Sequence, residues 1–196
     1  MGQERLSIHL SQEVHPLFSQ GTLIHVTGLG VLEDALLGDG LLSPCKQAER
    51  DGKTIPEDTS YHPRDNVNVK FLRLPSLDYR GNCSKLIGHF SEFTFSYELP
   101  IGFMVRNNKA ILMFKEHPIT KNGGDHYGIR DTVSPQEIEG IIISTGIDVE
   151  DTSWLDSSRG QTILGLVLNV VRQTQEKQKR KIPVLDNFGR ELLQEE

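Results

Sequence analysis

Cysteine is scarce: Cys45 and Cys83 are the only two in 196 residues, they form no C-x-x-C pair, and no histidine stands near them at metal-ligand spacing. This argues against a disulfide framework and a zinc site, and free thiols suit a reducing cytoplasm. Positive charge is also short, with 21 Lys and Arg against 27 Asp and Glu and a formal charge of −6. The basic face that holds duplex DNA is missing in bulk, so any nucleic-acid contact must be local. No apolar run approaches the roughly 20 residues of a membrane span. Residues 1–10 lack a basic stretch followed by an apolar one, so the chain reads as soluble and cytoplasmic, without membrane contact. The signatures G-x-x-x-x-G-K-[ST], G-x-S-x-G and H-E-x-x-H do not occur, which argues against a P-loop nucleotidase, a nucleophile-elbow hydrolase and a zincin. Gly28-Leu29-Gly30 is not the dinucleotide fingerprint, because Glu33 stands where the third glycine belongs.

The composition that remains, 36% hydrophobic and 24% charged with 18 Gly and 9 Pro, is that of an ordinary globular domain. The reading is one domain over 1–196, with a core over about 20–145 and a C-terminal helix over about 160–180. Thr22 to Thr27 alternates with a period near two and reads as the first strand. Val31, Leu32, Ala35 and Leu36 then recur at helical spacing, and Gly38 and Gly40 supply the stop. Cys45 to Pro63 is polar, lacks periodicity and reads as a long loop. Val67, Val69 and Phe71 mark a second strand, 84–89 one or two helical turns, and Phe93, Phe95 and Tyr97 a third strand. Ile101–Val105 and Ala110–Phe114 flank Arg106-Asn107-Asn108-Lys109 and read as a hairpin. Lys115 to Pro135 reads as a second irregular loop before a buried strand over 138–144. About six strands result, and a helix over 161–178 closes the pattern with a basic end, Lys177 to Lys181, that suits its dipole. The fold class is α+β.

The stretch Ile24 to Pro44 carries the most information: I-H-V-T, a short helix, then Gly-Leu-Leu-Ser. In that order it resembles the N-terminal part of NAD-dependent ADP-ribosyltransferases, most of all the DNA-targeting bacterial toxin branch. A looser likeness is to RNA 2′-phosphotransferases. The resemblance implies a split, mostly antiparallel sheet around an NAD-binding cleft, with His25 and Thr27 on the nicotinamide ribose. The helix and the turn at Ser43 would close over the dinucleotide. Glycosidic cleavage makes an oxocarbenium-like centre, so the ribose must be held rigidly while nicotinamide departs. The structural alternative is a half-buried strand histidine and a threonine capping the helix. Tyr61-His62-Pro63-Arg64-Asp65-Asn66 fills the place of the family's polar, arginine-bearing loop. Tyr61, Arg64 and Asn66 would therefore meet NAD, Arg64 through a phosphate; an exposed arginine is the alternative.

The family's catalytic glutamate opens a late strand before a V-x-P run, here Val133-Ser134-Pro135, and counting back reaches Asp125-His126-Tyr127, where no glutamate stands. Three solutions are open: Asp125 or Asp131 serves, Glu137 serves in a shifted register, or the chemistry is degenerate. Asp125 leads, because Gly123-Gly124 before it gives the backbone freedom to reach the sugar. His126 is the one other histidine the resemblance singles out. It implies ADP-ribosyl transfer from NAD to DNA, RNA or protein, and an antitoxin or other partner protein. The rivals are a binding module that has lost the chemistry and a phosphotransferase with Arg64, Arg73, Arg80 and Arg106 lining its cleft.

Overall fold

A computed structural model describes residues 6–19, 21–54, 67–74, 83, 86, 90, 100–106, 110–114, 126–145 and 151–194, with the backbone alone for 111–114 and 126. In chain order the elements are β1 (Ile8–Val14), β2 (Leu23–Gly28), a 3-10 turn (Leu29–Val31), α1 (Leu32–Leu37), β3 (Leu41–Leu42), α2 (Pro44–Arg50) and β4 (Asn68–Arg73). Then follow β5 (Pro100–Val105), β6 (Ile111–Phe114), β7 (His126–Arg130), β8 (Thr132–Val133), a 3-10 turn (Pro135–Glu137) and β9 (Ile138–Ile143). The chain continues through α3 (Ser153–Asp156), α4 (Ser158–Gln178), β10 (Val184–Asp186) and β11 (Arg190–Gln194).

Among the described residues nine strands join in the order β1-β11-β10-β9-β5-β2-β4-β7-β6, and β3 pairs with β8 apart from them. Of these, β9 and β10 run parallel and the other described pairings are antiparallel. The α+β class and the mostly antiparallel sheet are therefore as the sequence implies. Apolar residues coat both faces. Leu23, Ile101, Phe103, Ile141 and Ile143 face α1 and α4, while Ile24, Val26, Met104 and Ile142 pack with Leu17, Phe18, Leu86 and Phe90. Central strands covered on both sides read as unbroken apolar runs, which is why β5 and β9 carry no polar alternation.

Several readings need correction. The loop read from Cys45 begins as helix α2, because Ser43 caps it and Pro44 occupies its first turn. Its face buries no residue, so it has no apolar period to be read. The loop read over 115–135 contains β7 and β8; β7 is a strand because β4 and β6 bond it on either side. Ile101–Val105 and Ala110–Phe114 do not form a hairpin. Both edges of β5 are taken, by β2 and β9, and β6 pairs with β7 instead. The first strand read is the second, and the sheet draws β1, β10 and β11 from outside 20–145. The long helix begins at Ser158, three residues early, with Ser157 accepting the Gly160 N–H as its cap. Cys83, Leu86 and Phe90 are helical and buried. The strand read over 93–97 lies outside the described residues, as does 55–63.

Candidate functional site

The sheet forks. β2 is laddered to β5 along its whole length, from Leu23 opposite Val105 to Gly28 opposite Pro100. β4 is laddered to β7 from Asn68 opposite Arg130 to Leu72 opposite His126. Between β2 and β4 only two pairs form, Leu23 with Arg73 and Ile24 with Leu72. Beyond them 25–28 and 68–71 run on as strands without a ladder between them. Their inner-edge backbone groups need partners from side chains, water or a ligand.

His25 is the first residue past the fork. Alternation puts it and Thr27 on the face of Leu23, towards α1 and α4. His25 Nδ1 lies 2.8 Å from the Lys70 carbonyl oxygen, across the gap that backbone pairing leaves. A carbonyl only accepts, so Nδ1 carries the proton and Nε2 is left as an acceptor. Burial pushes the His25 pKa below 6.5, and the bond to Lys70 opposes that shift without reversing it. The imidazole is thus neutral near pH 7, with its ring 5.7 Å from that of Phe71 and tilted by 58°. Thr27 is 8% exposed, and among the described residues nothing hydrogen-bonds its hydroxyl. It is not a helix cap, since Gly28 precedes the 3-10 turn and Val31 precedes α1.

The β3–β8 pair, the cover, lies against β4 and β7 beside the open end of the fork. Gly40 leads into it at φ 90, where a Cβ would stand 2.1 Å from the Val133 carbonyl oxygen. Ser43 is fully buried, its N–H donates to the Asp131 carbonyl at 2.8 Å, and its hydroxyl accepts from Lys46 N–H at 3.3 Å. Asp131 sits at φ 62 in the β7–β8 turn and donates its own N–H to Val67 at 2.8 Å. One left-handed residue thereby ties the starts of α2 and β4 together. Its carboxylate is 3.7 Å from Arg130 Nε. The Glu137 carboxylate accepts from the Ser134 N–H at 2.9 Å and from its hydroxyl at 3.0 Å, a capping box that closes the 3-10 turn.

The structure thus brings His25 and Thr27 together at the fork and Ser43 and Asp131 together at the cover, while Glu137 is engaged in its own turn. His126 opens β7 opposite Leu72, level with the last β2–β4 pair. Its side chain, and Asp125, Tyr61, Arg64 and Asn66, lie outside what is described. Asn68 alternates with Val69 and Phe71 and so lies on the face opposite theirs. Arg73 stacks on Tyr127 and donates to its hydroxyl at 3.0 Å; Arg106 donates to the Pro16 carbonyl at 3.1 Å. Arg106 lies at the zipped end, whereas the Arg73 side chain reaches Tyr127, opposite Phe71 in the unladdered stretch of β4. The role of Lys70 is invisible in sequence because it acts through its carbonyl. Among the described residues no group of His, Cys, Asp and Glu is placed to hold a metal, and no helix is long and apolar enough to cross a membrane.

No family model and no curated protein matches the chain. Two solved structures are similar to it. A Thermus sp. 2.9 DarT in complex with carba-NAD+ is 12% identical, with a TM-score of 0.46 over 85% of this chain and 95% of that one. A Thermosipho africanus DarTG in complex with ADP-ribose is 12% identical, with a TM-score of 0.40 over 84% of this chain and 49% of that one.

Proposed function

We propose that the cleft between β2 and β4 binds NAD and that the chain transfers ADP-ribose from it to a macromolecule. The observation that carries the reading is the fork itself. It opens at His25, whose Nδ1 is tied to Lys70, and among the described residues nothing engages its Nε2 or the Thr27 hydroxyl, which would meet a polyol ligand. That pair fits the ribose contacts implied by the motif of residues 24–44. A neutral imidazole acceptor and a hydroxyl can hold adjacent sugar hydroxyls without adding positive charge beside a centre that becomes positive.

The carboxylate falls to Asp125 by what the others do. Glu137 is held in the capping box and Asp131 has a conformational task in the β7–β8 turn. Asp125 directly precedes β7, whose first residue is level with the end of the β2–β4 ladder. The test is nicotinamide release from NAD by the purified chain, with DNA, RNA or a protein mixture as acceptor. Release that Asp125→Asn abolishes and Glu137→Gln leaves intact supports the reading. Loss with Glu137→Gln alone, in a folded variant, would overturn the assignment to Asp125.

A second reading, a cleft that binds without reacting, is favoured by the want of a glutamate at 125–127. NAD binding without release in the parent would select it. The phosphotransferase reading expects several arginines in the cleft; Arg106 is engaged by the Pro16 carbonyl and Arg73 by Tyr127, while Arg64 and Arg80 lie outside the described residues.

A further inference from the structure

The basic end of α4 invites two interpretations, a solvated helix terminus or a patch for nucleic acid. Its side chains do something else. Lys177 Nζ donates to the Leu37 carbonyl at 3.0 Å and Gln178 Nε2 to the Leu36 carbonyl at 3.3 Å, so both serve the end of α1, where helix carbonyls lack intrahelical donors. Lys179 takes the left-handed conformation at φ 54 and turns the chain back. Arg180 then reaches the other side of the cover. Its Nη2 donates to Pro135 at 2.9 Å and Ile138 at 2.6 Å, and its Nε donates to the Gln178 side-chain oxygen at 2.7 Å. Lys181 is paired with Glu191 at 2.6 Å.

These contacts converge on the two segments that frame the β3–β8 pair. α1 feeds β3 through Gly38 and Gly40, both of whose N–H groups return to the Asp34 carbonyl at 3.1 Å. β8 feeds the 3-10 turn at Pro135. The helix end therefore grips the entry to one strand and the exit from the other. We infer that Arg180, with Lys177 and Gln178, is a positioning residue that holds the β3–β8 cover in register beside the open end of the fork. A guanidinium is suited to this, because its planar group fixes Nη2 on the two carbonyls and Nε on the Gln178 oxygen together, whereas an ammonium is a single point of charge. The functional consequence rests on the NAD reading above; the structural consequence does not.

The test is amide hydrogen exchange of the whole chain with Arg180→Ala, compared with Arg180→Lys and the double variant Lys177→Ala/Gln178→Ala. Expected is exchange about tenfold faster at 41–43 and 132–134, with 141–143 of β9 unchanged, because local opening and global unfolding report separately. Arg180→Lys should fall between parent and alanine variant. NAD affinity should weaken about fivefold in Arg180→Ala, a loss of about 1 kcal/mol. Equal acceleration at β9, or none at the cover, overturns the inference. If Arg180→Ala does not fold, the other two variants decide by the same comparison. If the parent does not bind NAD, the proposed function fails while the exchange pattern still decides the role of Arg180.

Discussion

His25 is where side-chain chemistry replaces backbone pairing, and its tautomer follows from that. An imidazole facing the Lys70 carbonyl must present Nδ1–H. Nitrogen-detected NMR of the folded chain should therefore show the Nδ1–H form, titrating below the ordinary value of 6.5. An Nε2–H form would contradict the hydrogen bond, and a pKa above 6.5 would contradict the burial. The linkage has a definite sign. The folded ring binds protons more weakly than the unfolded one, so its neutral burial contributes in full above pH 6.5. That contribution falls away as pH drops from there towards the folded pKa. His25→Gln should flatten this part of the stability curve. Asp131 presents a different residue-scale question, because a carboxylate and a left-handed backbone can each explain its position. At φ 62, Asp131→Gly keeps the turn and Asp131→Val strains it by about 1–2 kcal/mol. If the residue is conformational, the glycine variant retains whatever activity the parent has and the valine variant loses stability in thermal unfolding.

Elements whose own residues carry a period were legible in the sequence: β2 by alternation, α1 by its apolar spacing and glycine stop, α4 from Gln161 onward by its buried stripe. Elements that exist through their neighbours were not. β7 is short, has glycine at its centre and becomes a strand only between β4 and β6. α2 buries nothing, and only its Ser43-Pro44 cap marks it. Ser43→Ala should cost about 1 kcal/mol through that cap; no change in the thermal midpoint would show that burial alone accounts for Ser43. The α3–α4 junction reverses the usual propensity rule. Alanine in place of a helical glycine ordinarily gains up to about 1 kcal/mol. A Cβ at Gly160, however, would stand 1.7 Å from the Trp154 carbonyl oxygen. Gly160→Ala should lower the thermal midpoint, and a rise would contradict that packing.

At the scale of the whole molecule, the sheet is two laddered halves joined by two ladder pairs and by the backbone bonds of Leu74 to Gly21 and Thr22, with the cover braced from the helix side. The motif order of residues 24–44 made His25 and Thr27 legible as a pair, but not the fork beside them, which depends on where a ladder stops. Asp131 and Glu137 were legible only as carboxylates; that one forms a left-handed turn and the other a cap depends on backbone angles and turn geometry. The central claim is that the fork is a site for NAD. Calorimetric titration of NAD into the full chain, into His25→Ala and into Thr27→Val tests it most directly, with melting temperatures measured alongside. The account predicts saturable binding by the parent and affinity reduced about tenfold in each folded variant, since a buried polar ligand group left unpaired costs about 1–3 kcal/mol. No binding by the parent, or affinity unchanged in both variants, would contradict it.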